Sequence, residues 1–150
     1  MKGHESDVVT LDFSLDDKIL VSGSTDGTIC VWDLATGAAR QTFFGVEPEY
    51  SHPAVTSVMI SPNGQYVAVG SMDTVIRIWD INSDDLVERL EGHWGYVYGV
   101  AWMPDGKSLV SGGLDATVKY WHLGGIGPQT EPESQRSSCK MTFAGHQVRG

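Results

Sequence analysis

Hydrophobic and polar residues alternate along this chain in short runs, each closed by a cluster of Asp, Gly, Ser, Asn or Pro. Alternation with a period of two marks a strand with one buried face, and turn residues at even spacing mark an all-β protein. The pattern predicts strands over residues 8–13, 18–23, 28–32 and 40–44. Val9, Leu11 and Phe13 alternate on the first of these, and Ile29 and Val31 oppose Cys30 and Trp32 on the third. The series recurs at 55–60, 66–70, 75–79 and 86–90, and again at 97–102, 108–112, 117–121 and 140–143. Pro62 and Pro104 fall in the turns after the first strand of the second and third series, where a proline removes no ladder donor; Leu15 holds that place in the first.

The three series are copies of one unit. Asp26, Asp73 and Asp115 each stand six residues before a Trp (Trp32, Trp79 and Trp121). Successive units are displaced by 73 − 26 = 47 and 115 − 73 = 42 residues. The units read GH…LVSGSTDGTICVWD, then VAVGSMDTVIRIWD, then GH…LVSGGLDATVKYWH. Self-similarity at this period means a repeat architecture, and these motifs resemble the WD repeat, whose unit is a four-stranded blade of a β-propeller. The resemblance implies three four-stranded antiparallel blades in the partial propeller 1–150, over 3–44, 54–91 and 92–145, with a fourth repeat starting at 145–150. Three blades make an incomplete ring, so the expectation is a piece of a longer protein or a ring closed by oligomerisation. A polar stretch with Pro128 and Pro132, residues 124–138, interrupts the third unit and is predicted to be a flexible surface insertion in which Ser134, Ser137 or Ser138 could accept phosphate. Residues 45–53 form a second irregular stretch.

Charge narrows the functional classes. A net charge of −9 over 150 residues argues against gripping a phosphate backbone, so no direct nucleic-acid contact is expected. No apolar run is long enough to cross a bilayer as a helix, and no membrane partner is expected. Cys30 and Cys139 lie in different units, which fits a reducing compartment better than a disulfide framework. Charge and cysteine usage set the expectation of an intracellular chain without separating cytosol from nucleus. The 18 glycines recur at turn positions, such as Gly23, Gly70 and Gly112 and the Gly-His pairs at His4, His93 and His146, and no phosphate-binding loop motif is present.

His4, Ser22 and Asp26 mimic a hydrolase triad, and His93, Ser111 and Asp115 repeat the mimicry. Catalysis has no need of the same triad in two repeats, and neither Ser lies in a nucleophile elbow. No enzyme activity is therefore expected. In the WD repeat these residues resemble a buried hydrogen-bond chain from Trp through Ser and His to Asp, here Trp32, Ser22, His4 and Asp26, and Trp121, Ser111, His93 and Asp115. The second unit keeps Asp73 and Trp79 but has Val69 at the hydroxyl position, and His52 is displaced in sequence, so that blade is expected to rely on apolar packing. No CxxC or HExxH spacing occurs, and neither a metal nor a cofactor is expected.

Partner sites in the WD family flank the first apolar residue of the innermost strand and precede the turn Asp. Carried over, these positions are Asp7, Val9 and Thr25, then Ala54, Thr56 and Met72, then Tyr96, Tyr98 and Leu114, with Trp94 nearby. Tyr at both flanking positions suits a protein interface, although packing against a neighbouring blade is the alternative. The segments DLVERLEGH, VYGVAWMPDGKSLVSGGLDATVKYWHL and CKMTFAGH, around the polar insertion, resemble the fungal general transcriptional corepressors of the Tup/Groucho type. That resemblance implies a nuclear protein-interaction module that docks onto DNA-bound repressors and histone tails, with Tyr98 at a repressor contact. In such corepressors a tetratricopeptide partner binds an amino-terminal coiled coil, and no sustained heptads occur here. A ubiquitin-ligase substrate receptor, a signalling scaffold and a self-assembling partial propeller are the competing readings.

Overall fold

The computed structural model describes residues 3–44, 53–123 and 138–144. Twelve strands run through them: β1 (Val8–Phe13), β2 (Ile19–Ser24), β3 (Thr28–Asp33), β4 (Ala39–Phe44), β5 (Val55–Ile60), β6 (Tyr66–Ser71), β7 (Val75–Asp80), β8 (Leu86–Glu91), β9 (Val97–Trp102), β10 (Ser108–Gly113), β11 (Val118–His122) and β12 (Ser138–Phe143). They form three antiparallel sheets of four strands in chain order, β1 to β4, β5 to β8 and β9 to β12. Most of the 124–138 stretch, the 45–52 stretch and the start of a fourth repeat lie outside the described residues; Ser138 itself opens β12, two residues before the strand expected at 140.

Each sheet meanders because its turns are locally programmed. After β1, the Asp16 carboxylate accepts the Ser14 hydroxyl at 2.6 Å and the Lys18 N–H at 3.1 Å, and Ser14 Oγ accepts the Ile19 N–H at 3.0 Å. Asn63 and Ser61 repeat the arrangement after β5. The next residue sits in the left-handed region: Gly64 (φ 75°), Gly106 (φ 69°) and, in the first sheet, Asp17 (φ 60°). A side chain is disfavoured there, less so for Asp than for most residues.

The innermost strands β1, β5 and β9 carry the sheet-to-sheet contacts, with β1 and β2 meeting β5, and β5 and β6 meeting β9. A bulge at Val8/Thr10, repeated at Val55/Ser57, breaks the simple alternation. It groups Val55 with Val58 and Ile60 in the core, and the equivalent Val8 with Leu11 and Phe13. The expected Val9–Leu11–Phe13 face is corrected accordingly: the bulge removes Val9 from it and installs Val8. The other side of β1 and of β5 supplies hydrogen-bond acceptors to the next inner strand. Thr10 Oγ1 accepts the Val58 N–H at 3.1 Å and Asp12 Oδ2 the Ile60 N–H at 2.8 Å. Ser57 Oγ accepts the Val100 N–H at 3.3 Å, and Met59 O accepts the Trp102 indole N–H at 2.9 Å.

Two cores result, one at each junction. Val21, Ile29 and Val31 close over Val55, Val58 and Ile60. Ala68, Ile76, Ile78 and Leu90 close over Val97, Val100, Trp102 and Trp121. Burying one such side chain contributes about 1.5–3 kcal/mol. The close approach needs a missing side chain opposite the first ridge residue: a Cβ on Gly23 would lie 2.5 Å from Val55 Cγ1, and one on Gly70 3.1 Å from Val97 Cγ1.

Two stability changes follow from this packing. Gly23→Ala should destabilise the chain by about 1–3 kcal/mol through overpacking, read as a lower urea midpoint. Asp17→Gly should stabilise the chain by about 0.5–1 kcal/mol, read as a higher urea midpoint, because it relieves the left-handed residue that the other two turns fill with glycine.

Candidate functional site

The hydrogen-bond chain of the third sheet runs from its middle to its rim. The Trp121 indole N–H donates to Ser111 Oγ at 2.8 Å, and Ser111 lies 2.7 Å from His93 Nε2. His93 Nδ1 lies 2.8 Å from Asp115 Oδ2. An ionised carboxylate only accepts, so Nδ1 carries the proton, Nε2 accepts from the Ser111 hydroxyl, and every link has one donor. The His93 side chain is fully buried. Asp115 also accepts the Thr117 hydroxyl at 2.7 Å and the backbone N–H of Trp94 at 3.0 Å. Burial pushes the Asp115 carboxyl up, but the hydrogen bonds from Thr117, Trp94 and His93 outweigh it and hold the group far below the usual carboxylate range.

The first sheet uses one more hydroxyl. The Trp32 indole donates to Ser22 Oγ at 2.8 Å, and Ser22 lies 2.6 Å from His4 Nε2. His4 Nδ1 then meets Thr28 Oγ1 at 2.7 Å, and the Thr28 hydroxyl donates to Asp26 Oδ1. The expected direct His4–Asp26 link is therefore replaced by a relay through Thr28. Asp26 also accepts the Glu5 N–H at 2.8 Å. Burial raises its carboxyl, and the hydrogen bonds from Thr28 and Glu5 more than offset this, to about 2. Burial lowers the His4 imidazole, opposed by the nearby Asp26 charge.

In the second sheet Asp73 and Trp79 are not joined. The Trp79 indole N–H is buried without a hydrogen-bond partner among the described residues, as the loss of a hydroxyl at Val69 requires. Its ring packs on Phe43 with centroids 5.2 Å apart. Asp73 instead accepts the Ser71 hydroxyl at 2.7 Å and pairs with Arg77 Nη1 at 2.9 Å. Arg77 is buried, so the expectation of mainly apolar packing is supplemented by an ion pair in the place of the chain. Its register partner is Val69, as Lys119 pairs with Ser111, which would have marked it as facing the vacated hydroxyl position. His52 lies outside the described residues.

These chains end where the rim begins. The Leu114 N–H donates to Tyr96 O at 2.8 Å, the Met72 N–H to Ala54 O at 2.9 Å and the Thr25 N–H to Asp7 O at 3.0 Å. The same backbone bond thus joins two of the three carried-over rim positions in every sheet. Asp7, Val9 and Thr25 are exposed on the first, and Thr25 donates to Ser6 Oγ at 2.9 Å. Met72 is exposed on the second, where the half-buried Thr56 donates to Val97 O at the junction with the third sheet. Tyr96, Tyr98 and Leu114 are exposed on the third, and Trp94 is 92% exposed. Tyr98 stands in the register of Thr56 and so marks the border between rim and open sheet face. Among the described residues no group of three His, Cys, Asp or Glu side chains is arranged to hold a metal.

Acid should weaken the fold in two stages. A lowered His4 resists the proton that the unfolded chain takes up below its ordinary 6.5, so stability falls as pH drops from there. The depressed carboxylates add a second loss below the ordinary 3.8, continuing through about 2 for Asp26. Urea midpoints between pH 7 and 2 check this: His4→Gln should flatten the first stage and Asp115→Asn shrink the second.

The family model of the WD domain, G-beta repeat, matches residues 1–33, 46–80 and 84–122. The chain is 32% identical over 127 residues to the guanine nucleotide-binding protein subunit beta of Nicotiana tabacum, covering 82% of this chain and 34% of that one. It is 31% identical over 161 residues to the ribosome biogenesis protein WDR12 homolog of Drosophila persimilis, covering 95% and 38%. The crystal structure of RRP9 WD40 repeats superposes with a TM-score of 0.82 at 26% identity, covering 97% of this chain and 41% of that one. The chain spans 14% to 38% of the length of the curated relatives it matches. These relatives are diverse WD proteins and do not single out corepressors of the Tup/Groucho type. Three repeats, each folded as a four-stranded antiparallel sheet, make this chain a member of the WD40 family of protein-interaction scaffolds.

Proposed function

We propose that this chain docks a protein segment on the rim formed by Trp94, Tyr96, Tyr98, Leu114 and Met72, as the binding module of a nuclear transcriptional corepressor. The observation that carries the docking site is the exposure of three aromatic side chains on one rim segment whose backbone is fixed at Asp115 and Leu114. Aromatic side chains held rigid lose little entropy on binding, and such groups dominate interface energetics. The two Ser–His–Asp sets serve cohesion, not catalysis: Ser111 and His93 are buried, and the hydroxyl is committed to Trp121 and His93. The motifs of the third unit and the polar insertion support the corepressor reading, with DNA-bound repressors and histone tails as the partner classes and the nucleus as the compartment.

A second reading is a scaffold in ribosome biogenesis, favoured by a relative named for that process and by the likeness to RRP9. The two separate in one experiment. Tethered to a promoter, the wild-type chain should repress a reporter, and Tyr96→Ala with Tyr98→Ala should relieve repression while the circular dichroism spectrum stays unchanged. Loss of two hot-spot side chains should weaken the captured partner by about 30-fold or more. Absence of repression, together with co-purification of pre-ribosomal particles, would move the chain to the second reading. Unchanged partner affinity in the double variant would remove the rim from the binding site.

A further inference from the structure

The exposed segment that leads into β9 is held from two sheets at once. On its own sheet, the Trp94 N–H donates to Asp115 Oδ2 at 3.0 Å and the Leu114 N–H donates to Tyr96 O at 2.8 Å. Gly95 lies so near this turn that a Cβ on it would be 3.0 Å from the Asp115 backbone nitrogen. The next two bonds come from the second sheet. The Val97 N–H donates to Asp73 O at 3.2 Å, and the Thr56 hydroxyl donates to Val97 O. The peptide group that joins Tyr96 to Val97 therefore has its oxygen tied to the third blade and its N–H tied to the second.

The second blade is built for this grip. Thr56 is the extra residue of the bulge between Val55 and Ser57, as Val9 is of the bulge between Val8 and Thr10. Val9 has no hydroxyl, so the first blade cannot make the same reach to the second. The turn that offers the Asp73 carbonyl is itself fixed. Its carboxylate pairs with Arg77 at 2.9 Å and accepts the Ser71 hydroxyl at 2.7 Å and the Val75 N–H at 3.1 Å. Met72, exposed on that turn, has its N–H on Ala54 O at 2.9 Å. An exposed apolar side chain of the second blade and an exposed aromatic one of the third thus stand on two fixed turns, bonded to each other through Val97. This junction is internal to the chain and is seated on both sides.

We infer that the docking surface is a composite of the second and third blades, and that Thr56 and Asp73 are positioning residues that hold Tyr96 in a fixed relation to Met72. The inference rests on the docking reading proposed above and adds what sets the geometry of that site. Neither residue has to touch the partner. The Thr56 hydroxyl is committed to Val97 O, and Asp73 acts through its main-chain carbonyl. A docked segment lies across the junction and meets Met72 on one blade and Tyr96 on the other. The clasp acts on the free state: an aromatic side chain whose backbone is already ordered loses less freedom on binding, whereas local opening around Val97 would have to be reversed first.

Hydrogen exchange and peptide binding on the same variants test this. Thr56→Val removes the hydroxyl and keeps the shape, and the first blade already carries a valine at this bulge position. The Val97 amide should then exchange about 3- to 10-fold faster, as loss of one hydrogen bond allows, while amides of β6 and β10 keep their wild-type rates. The binding probe is a short peptide selected from a random library on the wild-type chain and lost on Tyr96→Ala. Its affinity should fall by a similar factor with Thr56→Val, return with Thr56→Ser, and fall also with Met72→Ala. Unchanged exchange at Val97 overturns the clasp. Faster exchange with unchanged affinity overturns the positioning role and leaves the docking surface standing. A loss that Thr56→Ser does not restore overturns it too, since side-chain shape and not the hydroxyl would be responsible. Full affinity in Met72→Ala confines the site to the third blade and overturns the composite. A library that yields no Tyr96-dependent peptide sinks the docking reading and the positioning role with it, while the exchange rates still decide the clasp. Should Thr56→Val not fold, Thr56→Ala removes the same hydroxyl and is read in the same way.

Discussion

Everything in this structure depends on how one blade seats on the next. The seat is a ridge of three apolar side chains on an inner strand, received by a glycine on the second strand of the preceding blade. Gly23 admits Val55 and Gly70 admits Val97, at separations where a single added carbon would clash at the first and crowd the second. A four-stranded meander by itself has two exposed faces and cannot bury either. Cohesion therefore comes from stacking, and each blade's stability is in part its neighbours'. The backbone donors of the inner strand add direction to the contact. Val58 and Ile60 give their N–H groups to Thr10 and Asp12, which fixes the stagger of one blade against the next.

The hydrogen-bond chain inside a blade solves a different problem. An inner strand needs its preceding loop held in place, and that loop is rich in exposed backbone. Asp115 anchors it by accepting the Trp94 N–H while bound to His93 and Thr117, so the order of the buried Trp121 indole extends to an exposed aromatic segment. The proposed binding surface and the core are thus parts of one network. A side chain that only stabilises, such as Ser111, also sets how rigidly Tyr96 is presented. That is a physical reason for the proposed contact residues to lie beside the most cross-linked turn.

The twelve strands were legible because alternation and turn chemistry are local, and three registered copies reinforce each other. Observed ends differ by a residue or two, as at Ser24 and Asp33, where the strand continues one residue into the turn. The bulge at Val8/Thr10 was not legible, because it changes the facing of Val8 and Val9 without altering their hydrophobicity. The relay through Thr28 was also hidden: Thr117 holds the same place in the third blade, yet there His93 reaches Asp115 directly at 2.8 Å. Both blades carry the same Trp, Ser, His, Thr and Asp at these places, so no residue type records the difference.

The second blade shows how far the chain can be rewritten. Val69 deprives Trp79 of its acceptor, and an unpaired buried indole N–H costs about 1–3 kcal/mol. Burying a guanidinium adds a desolvation penalty that only good geometry offsets. Arg77 meets it with Asp73 at 2.9 Å, the same carboxylate that would otherwise close the chain, and Ser71 supports that carboxylate from the other oxygen. The turn Asp is therefore the retained element, and its cationic or imidazole partner is exchangeable. What the blade requires is a carboxylate that is held, and what it tolerates is a change in the group that holds it. The middle blade can sustain this substitution because it is seated on both sides.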